Sequence, residues 1–210
     1  MLVIVVLAAV LTGSVIGFLS RPTDAERAAR KTAYDAALMQ AHSQPLQTTL
    51  TAPAFPYGKF TLHPEARYDV TARVMSTKRY RFSLIDHFVD VSPEDLALGW
   101  GRFADLANLD MMRIWQEDRF FKYRYPRDLP VPRDELISSL ANTHIIPANH
   151  EVLGKLHHVG KGDLIHMTGQ LVDVEEPGYG QWRTSLVRTD TGPGACEILW
   201  LETLEIVPEP

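Results

Sequence analysis

LIHMTGQLVDV, residues 164–174, is the stretch on which the reading of the fold turns. Ile165, Met167 and Leu171 share one side of an extended chain, and His166, Thr168 and Gln170 share the other. That alternation is the signature of a half-buried strand. Past Leu171 the apolar side moves to Val172 and Val174. A bulge near Gly169 would make the switch and curl the sheet. Gly160-Lys-Gly-Asp163 turns the chain into this strand, and Pro177-Gly178 suits the centre of a type II turn after it. Trp182 to Arg188 reads as the return strand, Thr189 to Ala195 as a Gly-rich loop, and Glu197 to Val207 as the last strand. Trp182, Leu186, Ile198 and Trp200 are expected to share a core with Ile165 and Leu171.

Working towards the N-terminus, residues 113–125 (RIWQEDRFFKYRY) form an aromatic-rich strand pattern that Pro126, Pro130 and Pro132 break. Arg133 to Ala141 and Glu151 to His158 read as helices, the second capped by Asn149. Ser92-Pro93-Glu94-Asp95 has the form of a helix start, with Ser at the cap, Pro next and two acids in the first turn. Gly99 and Gly101 would end that helix, and Ala104 to Met112 is a second short one. Phe60 to Leu62, Tyr68 to Met75 and Tyr80 to Phe82 alternate as strands. Together these elements predict an α+β fold. Its β-rich domain would hold a small curled antiparallel sheet of OB- or SH3-like barrel character and several short helices. A fold-level analogy of this kind carries no function.

The chain has 210 residues, 45% hydrophobic and 22% charged, enough for one well-buried domain and too few for two large ones. The charge is unevenly placed: residues 1–20 hold no Asp, Glu, Lys, Arg or His. Leu2 to Leu19 would span roughly 27 Å as a helix, close to a bilayer core. The expectation is an uncleaved single-pass transmembrane anchor over 1–20 that meets the lipid bilayer through residues 2–19. A cleaved signal peptide would want a basic n-region, and Met1 stands alone there. A buried soluble helix is the third possibility. Residues 21–42 read as a helical stalk capped by Thr23, residues 43–58 as a Pro-rich linker, and 59–210 as the soluble domain. Arg21, Arg27, Arg30 and Lys31 would hold that domain in the cytoplasm by the positive-inside rule. The habit of single N-terminal anchors to carry extracytoplasmic domains slightly favours the other side.

LALGWG at residues 96–101 and SLVRTDTGPGACE at 185–197 resemble a family of uncharacterised bacterial proteins. YDVTARV at 68–74, Tyr80-Arg81 and HIIPAN at 144–149 look similar too. The resemblance covers roughly residues 59–207. It implies an N-terminal hydrophobic segment with one soluble domain at a bacterial cell membrane, and it brings no activity, cofactor or catalytic residue.

A formal charge of −5 argues against a nucleic-acid partner bound through bulk charge. Trp100, Trp115, Phe120, Phe121, Tyr123, Tyr125 and Trp182 could stack bases or sugars, but core packing is their commoner use. No phosphate-binding Gly-rich motif is present, so no nucleotide cofactor is expected. His144, His150, His157, His158 and His166 cluster in sequence at spacings that fit no zinc motif, so no metal is expected. A Cys/His hydrolase would pair Cys196 with His144, with Asp190, Asn142 or Asn149 orienting the imidazole. The competing reading is a small buried cysteine at a strand start. The favoured site is a binding one. The Arg188 to Cys196 loop would pack against residues 144–149, bringing Asn142, His144, Arg188 and Asp190 onto one concave surface. In it Arg188 would hold an anionic or carbonyl group. The expected function is a membrane-anchored, non-enzymatic binding or assembly module with an envelope or membrane protein as partner. The alternative is the anchored hydrolase.

Overall fold

The computed structural model describes residues 22–81 and 86–210. Helix α1, Asp24–Ala41, opens with a capping box: Thr23 Oγ1 accepts from Glu26 N, and Glu26 Oε2 accepts from Thr23 N at 2.6 Å. Among the described residues ten strands follow, with helices between them. Strands β1 (Leu46–Thr49), β2 (Phe55–Tyr57) and the long β3 (Phe60–Arg79) precede β4 (Glu94–Gly99). Helix α2 (Leu106–Asp110), strands β5 (Arg113–Glu117) and β6 (Phe120–Arg124), and helix α3 (Arg133–Ser138) lead to β7 (Leu140–Pro147). Helix α4 (His150–Leu156) then precedes β8 (Leu164–Glu176), β9 (Gly180–Trp182) and β10 (Glu197–Ile206).

Eight strands form one sheet in the order β1-β3-β4-β7-β10-β8-β9, with β2 on β3. Because β3 also pairs with β8, the strands β3, β4, β7, β10 and β8 close on themselves. All neighbours are antiparallel except β7 and β10, which run parallel. Strands β5 and β6 stand apart as a two-stranded ribbon. The expected α+β domain with a small antiparallel sheet is therefore corrected to a mostly β fold built on a large mixed sheet, with 42% strand and 24% helix.

The extra strands come from segments that read otherwise. Residues 43–58 are not a free linker: β1 pairs with β3 from Leu46↔Asp69 to Thr49↔Ala66, and β2 makes a hairpin with β3 around Gly58. Nor does α1 stand free as a stalk. Tyr34, Ala37, Leu38 and Ala41 pack on Ala104, Leu164 and Val207, and Tyr34 Oη accepts from the buried Arg73. The expected helix at 92–98 is strand β4, because the sheet supplies Arg79 to the buried Glu94 and the buried His144 to Asp95.

Strand β8 keeps its alternation. Ile165, Met167 and Leu171 enter one core with Val70, Leu98, Ile145 and Leu199, and Val172 and Val174 enter a second with Phe60, Leu62 and Ile198. The bulges lie in its partners, at Glu65 of β3 and Glu202 of β10, and not in β8 itself. Trp182, Ile198 and Trp200 join the second core, apart from Ile165 and Leu171, and Leu186 is exposed. A third core of Phe103, Leu109, Met112, Leu136 and Leu140 lies under the ribbon.

Among the described residues no helix is long and apolar enough to cross a membrane. The one long helix, α1, carries Asp24, Glu26, Arg27, Arg30, Lys31 and Asp35. The single-pass anchor and the membrane localisation are corrected on that finding. Residues 1–20, where the anchor was expected, lie outside the described residues.

Candidate functional site

The parallel register Glu197↔Thr143 and Ile198↔His144 sets Cys196 beside Asn142. Strand β4 adds Asp95 opposite His144 and Ala97 opposite Asn142. Residues paired directly across a ladder project on the same side. Asp95, Asn142, His144 and Cys196 therefore share one face, and the β5–β6 ribbon covers it.

The ribbon turns on Asp118 and Arg119, at φ 53° and 65°. Two positive φ values make the tight hairpin turn that Asn-Gly usually fills. An arginine in this region is uncommon and invites a reason. Its side chain supplies one by reaching down to the sheet. Nε donates to Asp86 Oδ2 at 2.7 Å, while Nη1 donates to Ser92 O at 2.9 Å and Asp95 Oδ1 at 3.1 Å. The guanidinium carbon lies 3.7 Å from the Tyr80 ring centroid. Asp95 also accepts from Tyr80 Oη and His144 Nδ1, both at 2.8 Å. A carboxylate only accepts, so Nδ1 carries the hydrogen. The far side of the imidazole meets Trp182, with ring centroids 4.3 Å apart.

Asn142 continues the stitching. Its amide donates to Arg119 O and its carbonyl accepts from Gln116 Nε2, each at 2.9 Å. Ser76 Oγ in turn donates to Gln116 Oε1. The ribbon is thus fixed to the sheet at its tip and along one strand, and a cavity of 160 Å³ remains beside it. Phe120, Phe121 and Tyr123 of β6 form one wall, and Leu136 and Ile137 of α3 form another. Asn142 and Cys196 lie at the floor; Asp190, Thr191 and Gly192 make the exposed mouth.

Three of the five candidate residues therefore meet: Asn142, Asp190 and Cys196 line one cavity. His144 and Arg188 do not. His144 is bound into the Asp95 cluster beneath the ribbon. Arg188 turns the other way, donating to Glu197 Oε1 at 2.6 Å and to Gln47, over the Tyr68 ring. Asp190 takes the Ser185 hydroxyl at 2.6 Å. A pair between Arg188 and Asp190 does not form, and the expected anion site at Arg188 is corrected on this geometry.

The thiol of Cys196 touches Asn142 Nδ2 at 3.7 Å and Arg119 O at 3.9 Å, with no hydrogen bond to His144. Burial pushes the thiol up to about 12; the Asn142 hydrogen bond opposes it, and the negative charges of Glu197, Asp95 and Asp190 each add less. A nucleophilic cysteine needs the opposite environment. Among the described residues no group of three His, Cys, Asp or Glu side chains is placed to hold a metal.

Sequence reasoning missed Tyr80, Asp95 and Arg119. A signal for the last was present: Glu117-Asp-Arg-Phe120 sits midway between two short aromatic runs, where a hairpin turn would fall. Comparison of the chain with protein-family models, with curated proteins and with solved structures finds no match.

Proposed function

We propose that the protein is a non-enzymatic binding module whose cavity beside the β5–β6 ribbon receives one ring-sized apolar group of its ligand. The observation that carries this reading is the cavity itself: 160 Å³, with aromatic and aliphatic walls, a buried floor and a mouth of loop residues. An apolar cavity of about 150 Å³ in another protein stays dry and binds benzene, so the volume suits one ring. Concave apolar sites with a few placed polar groups are the usual form of small-ligand and anchor-residue sites. Catalysis by Cys196 has no support in its surroundings, because the thiol is held neutral and makes its contacts with Asn142 and the Arg119 carbonyl, not with an imidazole.

Toluene tests the reading. Added to the full chain, it should raise Tm saturably, by an amount equivalent to about 2.7 kcal/mol at a hundred times its Kd. Ala195→Phe, which places a ring where Ala195 lines the cavity, should abolish that rise without lowering Tm. A native protein that shows no saturable response to toluene would overturn the proposal.

A further inference from the structure

Resting on that reading, we infer that the ligand is cationic: an aryl- or alkylammonium whose apolar part fills the cavity and whose ammonium meets Asp190 at the mouth. Among the described residues, Asp190 is the only charged side chain that lines the cavity. Ser185 Oγ holds one of its carboxylate oxygens at 2.6 Å, which fixes the group in place. Among the described residues it has no ion pair, and Arg188, two residues away, is committed to Glu197.

The rest of the lining agrees in sign. Phe120, Phe121 and Tyr123 line it with aromatic rings, whose π-faces favour a cation over an anion. Of the carboxylates that raise the Cys196 thiol, Glu197 is paired with Arg188 and Asp95 with Arg119, which leaves Asp190, among the described residues, as the one facing the cavity without a cation. Asn142 offers a ligand little, since its carbonyl is taken by Gln116 and its amide by the Arg119 carbonyl. The polar end of a ligand therefore faces outward to Asp190. An anion there would lose water beside a carboxylate of its own sign and meet no cationic side chain in the lining.

The test compares three probes of one shape on the full chain by titration calorimetry: 2-phenylethylammonium, neutral 2-phenylethanol and anionic phenylacetate. The amine should bind at least tenfold more tightly than the alcohol, and phenylacetate more weakly than both. Asp190→Asn keeps an oxygen for Ser185 and should bring the amine down to the level of the alcohol, whose own affinity stays unchanged. In the native protein the preference for the amine should also shrink as salt is raised. Equal affinity for amine and alcohol would overturn the inference and leave the cavity reading standing, as would a preference that survives both Asp190→Asn and high salt. Failure of all three probes to bind would overturn both.

Discussion

Asp95 has no exposed surface, yet it carries a carboxylate that takes Tyr80 Oη, Arg119 Nη1 and His144 Nδ1. A buried ion pair recovers its desolvation cost only when both partners stay, and removing one typically costs about 3–5 kcal/mol. Arg119→Gly separates the side chain from its backbone. Glycine relieves the positive φ, worth about 1–2 kcal/mol in favour of the variant. If Asp95 and Asp86 need the guanidinium, Arg119→Gly still loses roughly 1–4 kcal/mol net in urea denaturation. A variant as stable as the parent would show that the turn governs and the contact with Asp95 does not. The same residues explain why this region read wrongly. Ser92-Pro93-Glu94-Asp95 satisfies every local rule for a helix start. Those rules take acids to be solvated, whereas here Arg79 and the Asp95 cluster pay more when both acids are buried in a strand. No local pattern contains partners that lie 15 to 49 residues away.

Among the elements, β8 was the most legible because burial on its two sides changes along its length in step with the sequence. Ile165, Met167 and Leu171 face one core and Val172 and Val174 the other. The role of Gly169 was only half visible. The residue does not bulge; it lets β10 come close. A Cβ built there would lie 2.0 Å from Trp200 O and 3.1 Å from Leu199 Cδ1. The nearest obstacle is backbone and cannot rotate away, so Gly169→Ala should destabilise by about 3 kcal/mol or more, the upper end for overpacking. Urea denaturation checks this, and a loss below about 1 kcal/mol would mean that β10 shifts to make room. Helix α4 was also legible, with Asn149 Oδ1 accepting from Val152 N as a cap should. Strands β1 and β2 were not, because prolines and uncharged polar residues between them resemble a linker, and their pairing with β3 is set by a strand further on. The pattern over 133–141 reads as one helix, but α3 ends at Ser138 and Leu140 already belongs to β7.

At the scale of the whole molecule, the site exists because β7 and β10 are parallel neighbours. The sequence placed Asn142, Asp190 and Cys196 on the two right segments, but not the crossover that joins them. It also could not show that Arg188 crosses to the opposite face of β10, where Glu197 waits. That pair makes the last prediction. Glu197 is almost wholly buried, and its Oε2 has no hydrogen-bond partner among the described residues. Burial pushes its carboxyl up to about 7, outweighing the opposing pull of Arg188. In the unfolded chain the ordinary value is 4.5. The folded state thus holds this proton more tightly, so the contribution is full below about 4.5 and is lost as pH rises through about 7. Glu94, raised to about 7 chiefly by burial, adds a loss of the same sign. Urea denaturation from pH 5 to pH 8 should therefore show stability falling. Glu197→Gln, which is neutral throughout, should gain on the parent across that interval by on the order of a few kcal/mol. A difference between variant and parent that stays constant with pH would mean that Arg188 holds Glu197 ionised in the fold. Because Arg188 and Glu197 flank the loop that carries Asp190, the same titration should also be read with 2-phenylethylammonium present. If the loop relies on the ionised pair, amine affinity rises with pH over the interval in which stability falls.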